Sequence, residues 1–359
     1  MKPFLFFFLS VLFAGQAASQ TNKRTVTWTG AVDNNWNNAK NWSPDEVPNP
    51  CNQVIIPVVP SKRYPVLQSN IFVDNLTLQG GNLSTNQFNI NYIKGNKGIQ
   101  GIYYEAVASK TRIINDISYT VQTPGKEYSI SRSISTCAPV YRFEIHPEDH
   151  WPSDLPDPKK PGDKGNEQNG QTKERVELSQ ANQKISFDQD TTIWISYSIF
   201  IEPGKDIVYR NVAYYCDLGQ WHHSGSSGGP PWNFSLRGQD LMTLETRGHA
   251  NVYSNGTLVP EERKTVVVTR GKWHNFVIRT RHSKGKTGLI EWWLDGELQC
   301  SVSGIGIGYN EKSIGYWKFG IYRTAASKGD RTDLAVRYAN MEVSGNSLFS
   351  RVKSPLPVD

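Results

Sequence analysis

The sequence predicts an all-β chain, a sandwich or jelly roll preceded by a small all-β module. Three observations lead there. From about residue 108 to 350 the chain is a succession of strand-like runs with no convincing amphipathic helix. Gly, Asn, Pro and Lys turns separate those runs. Residues 25–98 have a different character, with Trp28, Trp36 and Trp42 recurring in an Asn-rich stretch.

The elements follow in order. Met1-Lys2, an apolar run from Phe4 to Phe13 and small residues from Ala14 to Ser19 have the layout of a signal peptide, 1–19, cut near Ser19. A bilayer span needs about 20 apolar residues, so the run is too short for an anchor, and no later segment is long enough. The chain is therefore expected to be secreted or periplasmic. The 25–98 module has short strands at Val54–Pro57 and Phe72–Leu78, punctuated by Gly80-Gly81. In composition it resembles the Trp/Asn-rich β-repeat modules of secreted bacterial proteins. Gly95 to Gly101 is the expected boundary. The second domain, 108–350, has strands at Thr192–Ile201, Thr265–Thr269, Asn275–Thr280, Gly288–Leu294 and Leu334–Val343. Between Pro152 and Lys173 almost nothing can be buried, so a long loop is expected there, bordering a groove.

The net charge of +6 suits a polyanionic partner without proving one. No Arg/Lys-dense helix or zinc finger is present, which sets nucleic acid aside. No membrane partner is expected, and the chain reads as a monomer. Cys51, Cys137, Cys216 and Cys300 allow three pairings in an oxidising compartment but fit buried thiols as well. Sequons at Asn41, Asn75, Asn82, Asn233 and Asn255 matter only in a glycosylating host.

Four runs carry more than architecture. In Tyr316-Trp317-Lys318-Phe319-Gly320-Ile321-Tyr322, period-two alternation sends Trp317, Phe319 and Ile321 to one face. Tyr316, Lys318, Gly320 and Tyr322 share the other: a cation, two phenols and a gap, fit for an anionic, ring-containing polymer. Arg175-Val176-Glu177-Leu178, Gln220-Trp221-His222 and Arg142-Phe143-Glu144 alternate likewise. A slip of one residue would bury every polar group, so the register is well determined.

In this order, Arg-x-Glu-Leu, Gln-x-His and Tyr-x-Lys-x-Gly-x-Tyr resemble the alginate-lyase-type β-jelly-roll polysaccharide lyases. With Gly271–Val277, Glu291–Gly296 and Lys318–Arg323, the match is similar to the heparin-lyase-I-type family and its neighbours acting on glucuronan. It covers roughly residues 110–345 and implies a concanavalin-like β-jelly-roll sandwich. It also implies β-elimination on a uronic-acid polymer: the C5 proton leaves, the C4 oxygen is expelled, and fixed donors stabilise the enolate-like intermediate. Arg175 and Gln220 would bind the carboxylate. His222 would be the base, its ordinary pKa of about 6.5 suiting neutral pH. Tyr322 would be the acid, or both acid and base.

Lys318, Tyr316, Arg142 and Glu177 complete the expected substrate-binding set. Glu177 reads as the partner that orients Arg175, and Arg142 as a ligand or as the cross-strand partner of Glu144. Strand positions i and i+4 lie about 13 Å apart, which puts Lys318 one subsite away from Tyr322. Gly320 would leave room for the sugar. His223 should point away from His222 in a regular strand. Trp273, Trp292 and Trp293 read as core aromatics. His146, Asp149 and His150 lack regular metal-ligand spacing. No cofactor is required; calcium stays open, although no loop has its ligand spacing. A non-catalytic carbohydrate-binding sandwich is the alternative. A glycoside hydrolase needs two spaced carboxyls, which Glu291, Asp295 and Glu297 do not supply.

Overall fold

The structure, a computed structural model, describes residues 25–49, 51–69, 71–92, 104–107, 110–114, 117–133, 139–168, 171–180, 190–204, 215–223, 229–238, 240–248, 261–309, 315–324 and 332–355. The expected leader, the expected Gly95–Gly101 boundary, Cys137 and Asn255 lie outside them. Among the described residues no helix is long and apolar enough to cross a membrane. The chain divides into two compact units, Met1–Lys94 and Gly95–Asp359.

The first unit is built on parallel pairing. Thr25–Trp28, Gln53–Pro57 and Asn75–Gln79 stack side by side, and Ile71–Val73 stacks on Ile90–Tyr92. Parallel bridges from Asn35 to Val66 and Val66 to Ser84 make a third stack, so the unit is a short β-solenoid. Its core holds Trp28, Trp36, Trp42, Val54, Ile56 and Leu67. The Trp42 ring meets Trp28 and Trp36 edge-on at 4.8 and 4.7 Å between centroids, the orientation aromatic quadrupoles favour. Asn41 is fully buried, accepting from the Val32 and Asp33 amides, so its sequon is inaccessible. The expected Phe72–Leu78 strand is two, Ile71–Val73 and Asn75–Gln79.

The second unit is a sandwich of two eight-stranded sheets, antiparallel in every pairing. The back sheet runs Glu297–Ile307, Ser283–Leu294, Trp273–Arg281, Thr192–Ile201, Leu334–Ser344, Val140–Ile145, Ile130–Ser133 and Tyr104–Ala106. The front sheet runs Glu261–Val267, Leu241–Thr246, Trp232–Arg237, Cys216–His222, Tyr316–Arg323, Glu174–Ser179, Ile117–Gln122 and Thr111–Ile114. The inner faces meet in one core that includes Trp317, Phe319, Ile321, Trp221, Phe143, Phe276 and Trp292. Each such side chain contributes about 1.5–3 kcal/mol relative to exposure, which is what holds the register. Trp293 packs instead with Trp194, Val277 and Val352 in a small outer cluster. Trp273 is only half-buried, beside Phe200.

Candidate active site

The three site strands are neighbours on the front sheet, with Tyr316–Arg323 between Cys216–His222 and Glu174–Ser179. Residues directly opposite one another share a face. Lys318 stands opposite Gln220 on one side and Ser179 on the other. Tyr322 stands between Arg175 and Asp217, and Glu177 faces Gly320. Because Trp317, Phe319 and Ile321 fill the core, Lys318 and Tyr322 are forced to the outer face. The local alternation therefore brings Arg175, Glu177, Gln220, Lys318 and Tyr322 together from three distant stretches of chain.

Glu177 is the hub. It accepts from the Gln220 amide at 2.7 Å, Lys318 Nζ at 2.7 Å and Arg175 Nη1 at 3.3 Å. Burial alone would raise its pKa, but Lys318 and Arg175 outweigh that and hold it below the usual range. Lys318 moves down to about 8, through burial and the repulsion of Arg175, against the pull of Glu177. The asymmetry is physical: the carboxylate has two cations, whereas the ammonium has a cation beside the one carboxylate it hydrogen-bonds, with Asp154 adding a smaller pull. Arg175 also donates through Nε and Nη2 to Asp154 (2.8 and 3.3 Å) and through Nη1 to Gln122 (3.0 Å). Its guanidinium lies 4.3 Å over the Tyr322 ring.

The loop after Trp151 covers this wall. Its first turn, Pro152–Asp154, presents Asp154, which Asn166 secures at 3.0 Å. Asn166 also reaches the Tyr322 hydroxyl at 3.5 Å, the limit of a hydrogen bond. Between loop and sheet lies a cavity of about 900 Å³, lined by Asp154, Asn166, Lys173, Arg175, Gln220, His222, His223, Lys318 and Tyr322 among others. The low-complexity segment thus forms one wall of the site. Asp154, Asn166 and Lys173 are residues the sequence reading missed. The first two sit in aperiodic loop, but Lys173 continues the Arg175–Glu177 row one step upstream on the same parity.

His222 lies against Tyr316, rings stacked at 5.3 Å. Its Nδ1 is 2.8 Å from the His223 carbonyl, which can only accept, so the proton is on Nδ1 and Nε2 carries the lone pair. Burial, then the Lys318 charge, lowers its pKa to about 3, far from the value of about 6.5 expected from composition. His223 also lines the cavity, because the strand ends at His222 and alternation ends with it.

Some expectations take a different form. Arg142 is not brought to the cavity: it lies on the back sheet, bonded to Glu202 at 2.7 Å and to Glu144. The backbone spacing does not keep Lys318 away from Tyr322, since its Nζ lies 5.7 Å from the Tyr322 ring centroid. Two long side chains close the backbone gap, and the register slips between Asp217 and Gly219 beside them. Gly320 is required by backbone rather than by sugar. It has φ +129°, and a Cβ there would come within 2.3 Å of the Val176 carbonyl oxygen. Asn233 donates to Asp217 and Glu245 in the buried face, so that sequon too is inaccessible.

The polysaccharide lyase family model matches residues 123–338, which contain every strand of this site. No curated protein matches. Among solved structures, an endo-β-1,4-glucuronan lyase from the fungus Trichoderma reesei aligns at 12% identity and TM-score 0.43, over 67% of this chain and 94% of that one. A GH131 β-glucanase catalytic domain from Podospora anserina aligns at 10% identity and TM-score 0.40, over 60% and 75%. Alginate lyase A1-II′, of polysaccharide lyase family 7, aligns at 14% identity and TM-score 0.38, over 68% and 94%.

Proposed function

Since the chain belongs to the polysaccharide lyase family, we propose that it cleaves a uronic-acid polymer of the glucuronan, alginate or heparin/heparan-sulfate type by β-elimination at this cavity. The observation that carries the reading is the convergence of Gln220, His222, Lys318 and Tyr322 on one cavity wall, with Arg175 and Glu177 alongside. A uronate would lie along that wall with its acid group toward the cationic side, where Lys173, Arg175 and Lys318 gather around the Tyr322 ring. The C5 proton passes to His222 Nε2, the electron pair forms the C4–C5 double bond, and the C4–O bond breaks. Tyr322 delivers its hydroxyl proton to the departing oxygen, and solvent restores both groups.

The low basicity of His222 favours a second assignment within the same reaction. A bound carboxylate would favour imidazolium and strengthen that base. If it does not, Tyr322, ringed by Arg175, Lys173 and Lys318, takes the C5 proton as well as giving one. The base and the acid of this route are both protein groups, so it requires no cofactor and leaves calcium open. The leader read from Met1 to Ser19 favours action outside the cytoplasm.

Incubation with glucuronan, alginate and heparan sulfate in parallel tests the reading through the ultraviolet absorbance of the unsaturated uronate. Product from at least one polymer is expected. Tyr322→Phe should lower the rate by about 10²–10⁴-fold with folding intact. His222→Asn should do the same if His222 is the base, and leave most of the rate if Tyr322 serves both steps. Polymer binding that never yields the absorbing product would sink the proposal.

A further inference from the structure

The cations of this cavity are not equivalent. Arg175 is 7% exposed and is held by Asp154, Gln122 and Glu177, so four of its five N–H donors already have acceptors. Lys318 is 3% exposed and ion-paired with Glu177 at 2.7 Å. These two cations and two carboxylates cancel one another inside the wall. A substrate carboxylate taking a two-point pairing with Arg175 would have to displace Asp154 on one edge, or Gln122 or Glu177 on the other, and exchanging one carboxylate for another brings no net gain in charge compensation.

Lys173 differs. It lines the same cavity, half-buried, with Nζ 5.6 Å from the Tyr322 ring centroid, and no carboxylate among the described residues pairs with it. Its backbone is pinned on both sides: its N–H donates to Asn166 at 3.2 Å and its carbonyl accepts from His150 Nδ1 at 3.0 Å. The other lysine of the lining, Lys160, is exposed and lies 3.6 Å from Asp157, where water screens it. A uronate brings one negative charge per ring, and Lys173 supplies one uncompensated positive charge beside the proposed acid.

We propose that Lys173 receives the carboxylate of the uronate under attack, and that Arg175 acts as a fixed, internally neutralised support for Tyr322 and Glu177. This rests on the lyase reading above and names the residue that confers its preference for acidic rings. It also states a division of labour: the buried cations shape the site, and the half-buried one recognises charge.

The test uses the full chain and measures both binding and turnover, by intrinsic tryptophan fluorescence and ultraviolet absorbance. The probes are oligoglucuronate, oligomannuronate and their methyl esters, which keep the ring but lose the charge. Lys173→Met should weaken binding of a free-acid oligomer about 10-fold or more and lower its turnover in step, while binding of the ester changes less than twofold. Lys173→Arg should restore most of the acid binding. Equal binding of acid and ester by wild type overturns the inference, as does an equal loss on both in Lys173→Met. A wild type that binds none of these oligomers overturns it too. A wild type that binds the acids through Lys173 but never cleaves them overturns only the lyase mechanism proposed above. Arg175→Lys is the control: loss of acid binding there, with Lys173→Met unaffected, would return the carboxylate to Arg175 and refute the assignment.

Discussion

Two Arg-x-Glu tripeptides, Arg142-Phe143-Glu144 and Arg175-Val176-Glu177, start from the same local rule and end in opposite circumstances. In each, the central apolar residue enters the sandwich core and the charged pair is turned outward. On the back sheet, Arg142 and Glu144 remain about one-fifth exposed and join a chain of surface charges with Glu202, Arg337 and His146. On the front sheet, the loop after Trp151 covers the equivalent face, and Arg175 and Glu177 lose nearly all contact with water. Alternation decides which face a side chain takes. What lies over that face decides whether its charge is solvated or committed to neighbours.

The largest expected effect that would break this contrast is in stability. Glu177→Gln leaves Lys318 and Arg175 buried with a missing countercharge and should cost about 3–5 kcal/mol. Glu144→Gln, with water and Glu202 still available to Arg142, should cost about 1 kcal/mol or less. Urea melts of both variants measure the difference, and equal losses would show that the loop does not isolate the front face.

A smaller effect appears in the pH profile of kcat/KM, which reports the free enzyme. Lys318 carries its charge below about 8 and loses it above, leaving Glu177 with Arg175 alone. Activity should therefore fall along an alkaline limb near 8. Lys318→Arg, if active, should move that limb up. His222, already neutral down to about 3, should produce no acid limb near 6.5. A limb at 6.5 that disappears in His222→Asn would mean that the imidazole is far more solvated than its stacking on Tyr316 implies.

The smallest effect is the control on the back sheet. Arg142→Met should leave turnover of the best polymer within twofold, because Glu202 keeps Arg337 and Glu144 keeps His146. A large loss of activity would tie the two faces together and break the comparison.

Much of the site is legible in single strands. The runs around Arg175, Gln220 and Tyr316–Tyr322 can be read as two-faced because their apolar residues are large and regularly spaced, and the cost of burying the polar set fixes the register. Lys173 was legible on the same parity, but one residue before the strand a row is easily cut short. Asp154 and Asn166 were not legible, since a Pro- and Gly-rich loop has no period to reveal which side chain turns inward. The meeting of Lys318 with Tyr322 was hidden for a related reason: strand geometry gives backbone spacing, whereas long side chains and a register slip set where the charges end.

The sequence by itself determined the all-β architecture, the outward face of each site strand and, through the order of its motifs, the polysaccharide lyase family. Those properties depend on near-neighbour alternation and are written in every few residues. Only the tertiary structure decided that Arg142 stands apart, that Arg175 is already neutralised, and that Gly320 answers to a backbone contact instead of a sugar. Each of those depends on groups far apart in the chain. For a buried charge, it is the nearest opposite charge that sets what a residue can still do.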